Sequence, residues 1–102
     1  MSTQSASVRL DASLFSAETI KRAAYTMAAQ ASVDIRRVGA DWVCELIFLK
    51  HVTAAEFDEA VASFRIEVLD QDLRQTVANE TRDVRNAILA VAFSKTGLQS
   101  DG

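Results

Sequence analysis

From Thr53 to Leu98 the sequence contains no proline, and its one glycine, Gly97, comes near the end. That stretch limits the possible folds more than any other feature. Thr53 and Glu56 stand at capping-box spacing, and Val52 and Phe57 are placed as a hydrophobic staple across the same turn, so a helix is predicted to begin there. At the far end, Gly97 is suited to the left-handed residue that closes a helix, with Leu98 placed to fold back on Phe93. Within the stretch, Phe57, Val61, Phe64 and Val68 share one face at about 100° per residue, as a helix lying on a sheet requires. Continuing that line brings Asp72, Gln75 and Asn79, while Ala62, Ile66, Leu69, Leu73 and Val77 form a second stripe on roughly the opposite side.

A helix with stripes on opposite sides must touch two different things. The first stripe is expected to cover the domain's own core. The second is expected to meet the following segment, a second subunit or another protein. An end or kink is predicted between Ala78 and Thr81, where Asn79 or Thr81 could cap a third helix able to supply that contact. An unbroken helix would instead favour a dimer.

The chain before the helices reads as strand, helix and hairpin. Ser7 to Asp11 alternates, with Val8 and Leu10 on one face. Ser16 is placed to cap a helix whose apolar side is Ile20, Ala23, Ala24, Met27 and Ala28, and Glu18 suits its positive end. Tyr25 is expected to turn its ring to the core and its hydroxyl to water. Ser32 to Val38 forms the next strand, with Val33 and Ile35 inward. Gly39, Ala40 and Asp41 turn the chain, and Trp42 to Lys50 returns with Trp42, Cys44, Leu46 and Phe48 inward. Glu45 marks the other face as the outer one, which leaves Val43, Ile47 and Leu49 there either covered by a helix or presented to another protein.

The predicted architecture is an α+β two-layer sandwich of order β-α-β-β-α-α in a single domain. Residues 1–6 are expected to be a disordered tail, 7–50 the β-α-β-β portion, 53–97 two helices, and 98–102 a polar tail. The strand order is left open, because the first strand can pair with either arm of the hairpin.

The 102 residues allow one modest core and leave no room for a cofactor-binding fold beside a deep cleft. A net charge of -3 disfavours nucleic acid, whose phosphates call for a cationic surface. The single cysteine cannot form an intrachain disulfide, which fits a reducing cytoplasm. Apolar runs such as Leu46 to Leu49 and Ala87 to Phe93 fall far short of the roughly 20 residues that span a bilayer. His51, the lone histidine, has no serine or cysteine placed as its nucleophile and is read as a loop or capping residue. Cys44 is read as a buried, inert thiol. Asp70 and Asp72 point to nearly opposite sides of a helix and cannot chelate one ion, whereas Asp70 and Arg74, and likewise Arg82 and Asn86, are spaced to pair. No cofactor, metal or catalytic group is expected.

The segment E-V-L-D-Q-D-L-R-Q from Glu67 to Gln75, the E-T-x-x-V-R-N run from Glu80 to Asn86 and the A-F-S-K-T-G-L ending at Leu98 together resemble the small HxsD-type accessory protein of His-Xaa-Ser systems. The family element L-L-N-D-Y-x-L-R-E is matched at Asp70, Leu73 and Arg74. Leu69, Gln71 and Gln75 depart from it. The resemblance implies a noncatalytic subunit that assists a radical S-adenosylmethionine maturase or binds its precursor peptide. The residues expected to carry that contact are Ile66, Leu69, Asp70, Leu73, Arg74, Arg85 and Asn86, with Val43, Ile47 and Leu49 on the sheet. The alternative is a structural homodimer formed through the long helices.

Overall fold

The computed structural model describes residues 3–101, with side chains described through residue 93. Five elements follow in order: β1 (Ser5–Asp11), α1 (Ala17–Thr26), β2 (Ala31–Val38), β3 (Asp41–Phe48) and α2 (Ala54–Asp101). The class is α+β, and the order is β-α-β-β-α because the predicted break near Asn79 is absent. Asn79 does not cap a new helix; its side-chain oxygen accepts from Arg82 Nη2 at 2.9 Å instead. Asn and Thr are only moderately poor helix formers, up to about 0.7 kcal/mol each below alanine, and without a proline nothing forces an end. α2 also passes through Gly97 to Asp101, so residues 98–101 are helical. The anticipated Leu98 to Phe93 contact lies outside the described side chains. At the other end, β1 begins at Ser5, within the stretch predicted as a tail.

The chain divides after Asp72 into two units. In the first, the sheet has the order β1-β3-β2, with β3 antiparallel to both neighbours. The β2–β3 hairpin turns on Gly39 and Ala40. Gly39 has φ +60° and Ala40 does not share it, the pattern of a type II′ turn with glycine at its first central position.

The inner face of the sheet carries the core. Val8, Cys44, Leu46 and Phe48 are buried against Ile20 and Ala23 of α1, Met27 at its C-terminal cap, and Ala60, Phe64 and Val68 of α2, as the alternation and the first helical stripe predict. Local chemistry fixes where both helices start. Ser16 Oγ accepts from the Thr19 N–H at 3.1 Å. At α2 the capping box is complete: the Glu56 N–H donates to Thr53 Oγ1 at 3.1 Å, and the Thr53 N–H donates to Glu56 Oε1 at 2.9 Å. The Gln4 side chain ties this start to the sheet, with Nε2 donating to the Val52 carbonyl and Oε1 accepting from the Val52 N–H. The Phe48 and Phe57 rings pack at 5.2 Å between centroids. Tyr25 departs from expectation. It is 82% exposed, because α1 turns Ile20, Ala23 and Met27 to the sheet.

Candidate protein-binding surface

α2 serves two purposes along its length. Through Val68 it presents Ala60, Phe64 and Val68 to the core. On its other side in the first unit, Ile66 and Leu69 are exposed, at 65% and 59%. The second unit, from Leu73 onward, is helix alone. In that unit Leu73, Val77, Val84, Ile88 and Val91 follow one another at three- and four-residue steps or their sums, so they share one face. All are exposed, as are Leu89 and Phe93 on the opposite side. A helical segment that is apolar on two sides is not shaped to lie bare in water.

The residues of the stripe predicted from Ala62 to Val77 are exposed in each unit among the described residues. The described residues form no third helix. The same spacing continues beyond Val77 through Val84, Ile88 and Val91 into the run Ala87 to Phe93, so the row is longer than the stripe expected from Ala62 to Val77.

Among the polar candidates, Arg74, Arg85 and Asn86 are exposed and Asp70 is half-buried. Asp70 and Arg74 already have partners. Arg85 helps line a shallow groove with Glu80, Thr81, Val84 and Ile88. The expected pairing of Arg82 with Asn86 gives way to the bond with Asn79.

The sheet candidates separate from one another. Val43 is buried at 9% exposure but lies outside the core cluster that the helices share with the sheet. It pairs across the sheet with Arg9 on one side and Arg36 on the other. Arg9 reaches Asp41 at 3.3 Å and Arg36 reaches Glu45 at 3.8 Å, two residues to either side of Val43 on its own face, so the arginine stems enclose it. Ile47 is half-buried between Ser5 and Ser32, and Leu49 lies beyond the end of β3, 60% exposed.

The groups considered for chemistry are placed as follows. Cys44 is fully buried, and burial pushes its thiol up to about 11. His51 lines a cleft of about 420 Å³ together with Leu49, Lys50, Val52, Glu56 and Glu59. The Glu56 carboxyl is held below its ordinary value, first by the Thr53 backbone N–H, then by the Thr53 side chain, and weakly by His51. Among the described residues no group of three His, Cys, Asp or Glu side chains could hold a metal ion. Among them, too, no helix is long and apolar enough to cross a membrane.

These features define a small α+β protein that carries a long helix with an exposed apolar surface. The chain matches the family model described as His-Xaa-Ser system protein HxsD over residues 10–99, and it belongs to that family. No curated protein and no solved structure matches it.

Proposed function

We propose that this chain is a noncatalytic accessory protein of a His-Xaa-Ser peptide-maturation system, and that the exposed face of α2 holds a radical S-adenosylmethionine maturase or its precursor peptide. The observation that carries the reading is the row Leu73, Val77, Val84, Ile88 and Val91, apolar and uncovered on a helix with no described neighbour. A partner that covers this row removes the apolar surface from water, at about 25 cal/mol for each Å² buried. Family membership supplies the setting, and the helix supplies the means of contact.

Copurification of the chain with the maturase of its own system tests the proposal. Leu73→Asp is expected to abolish the association, because it buries a charge at the contact, while Arg9→Ala on the sheet leaves it intact. Equal recovery with both variants would overturn the reading.

One observation favours a second reading. An unbroken helix of 48 residues with an apolar face is also suited to pairing with its own copy across a two-fold axis. Light scattering separates the two. A dimer that persists on dilution and is lost in Leu73→Asp supports self-association, whereas a monomer at low micromolar concentration removes it.

A further inference from the structure

The sheet has two edges, and their backbone groups can be assigned from the register. The Leu49 N–H donates to the Gln30 carbonyl, and residues 30 and 49 stand opposite each other in the β2–β3 register. Directly opposed residues that bond in this way form the close hydrogen-bonded pairs of an antiparallel ladder, and such pairs recur every second residue. Ser32, Asp34, Arg36 and Val38 therefore turn their N–H and C=O groups toward β3. Val33, Ile35 and Arg37 turn theirs outward. The Ala31 N–H is already taken by the Met27 carbonyl, but among the described residues no backbone hydrogen bond reaches those three. The same reasoning at β1, from Phe48 N–H to the Gln4 carbonyl, leaves Ser5, Ser7 and Arg9 outward.

The two edges differ in what lies beside them. The outward residues of β1 carry side chains on the outer, polar face. Those of β2 include Val33 and Ile35, whose side chains lie on the inner face and pack against the core. Next to them a groove of about 330 Å³ runs between α1 and β2, lined by Ala24, Tyr25, Ala28, Val33 and Leu49. Its lining includes one charged residue, Lys21. Tyr25 and Leu49, left exposed by the core, both open onto this groove.

We propose that the free edge of β2 binds an extended peptide by strand addition, with an apolar side chain of the peptide entering the groove beside α1 and a carboxylate meeting Lys21. Unpaired N–H and C=O groups repeating every two residues, roughly 6.6 Å apart, match the backbone of another strand and no compact small molecule. The groove accepts the side chains of that strand which point to the inner face, and their neighbours point to the outer one. An apolar lining with a single cation selects a segment that alternates apolar residues with acidic or neutral polar ones. The residues involved are different from those on α2, and the site stands whether or not α2 holds a maturase.

The test uses a capped, fluorescein-labelled eight-residue peptide in which valine alternates with threonine and glutamate, and a twin N-methylated at every amide. In the free protein, amide exchange followed by NMR is expected to be fast at Val33, Ile35 and Arg37 and slow at Ser32, Asp34 and Arg36. Adding the peptide slows the first three. Ala28→Arg, at an exposed position beyond the end of α1, fills the groove; it is expected to weaken binding at least about tenfold and to leave the thermal midpoint unchanged. The N-methylated twin, deprived of donors, does not bind. Absence of slowing at saturating peptide, or equal binding by the twin, overturns the proposal. Slowing that rises with protein concentration and needs no peptide also overturns it, and assigns the edge to a second copy of the chain.

Discussion

Truncating one residue from each half of α2 tests the division of the helix between core and partner. Phe64 is fully buried and meets the inner face of the sheet, within a cluster that includes Val8, Ile20, Leu46 and Val68. Phe64→Ala removes the ring and leaves a cavity that a three-stranded sheet cannot close, at a cost of about 3–5 kcal/mol. Small domains have about 5–15 kcal/mol in total, so this change takes a large share of it. Val84 is 60% exposed. Val84→Ala therefore forfeits only the buried fraction of a side chain worth at most about 1.5 kcal/mol, roughly 0.6 kcal/mol. The better helix propensity of alanine returns about 0.5 kcal/mol, leaving the variant within about 0.5 kcal/mol of the parent. Urea unfolding at fixed, low micromolar concentration measures both changes, and Phe64→Leu, at about 1 kcal/mol, provides a milder core variant should the alanine variant not fold. A loss below about 1 kcal/mol for Phe64→Ala would refute the assignment of the first stripe to the core. A loss above about 1.5 kcal/mol for Val84→Ala would refute the exposure of the second unit, and a concentration dependence of that loss would identify the cover as another copy.

Three further outcomes are expected. The Glu56 carboxyl is held below its ordinary value in the folded chain, so its contribution to stability is fully present above the unfolded value and is lost as pH falls through the folded one; Glu56→Gln should flatten the acid limb of the stability profile in urea titrations, and Thr53→Ala should cost about 1 kcal/mol at neutral pH. Cys44, buried and raised to about 11, should resist a thiol reagent at pH 8 while the chain is folded and react once per chain in denaturant. Gly39→Ala places a side chain at φ +60°, where open space surrounds the new methyl but the backbone is strained, and a loss of about 1 kcal/mol in thermal or urea unfolding is expected.

What the sequence made legible follows from how local each signal is. The caps at Ser16 and Thr53, the hairpin at Gly39 and the alternation in β3 involve partners within a few residues, and each appears in the structure as expected. The helix break did not appear because a capping residue permits an end without compelling one; only a proline or an unfavourable tertiary contact compels it, and neither is present at Asn79. For Val43 the sequence leaves open cover by a helix or contact with another protein, whereas its neighbours across the sheet are Arg9 and Arg36, residues distant in sequence that only the pairing of both outer strands with β3 brings to its sides. Tyr25 was misplaced for a related reason. A short helix against a small sheet turns only a narrow face inward, and Ile20, Ala23 and Met27 fill it. The candidate surface was legible in part through the same periodicity that revealed the core. An apolar stripe announces that something covers it without stating what, so Ile66 to Val77 read equally well as a seat for a third helix, a second copy or a partner. The unbroken helix removes the first of these, and the choice between the other two rests on whether Leu73 is required for a maturase or for a dimer.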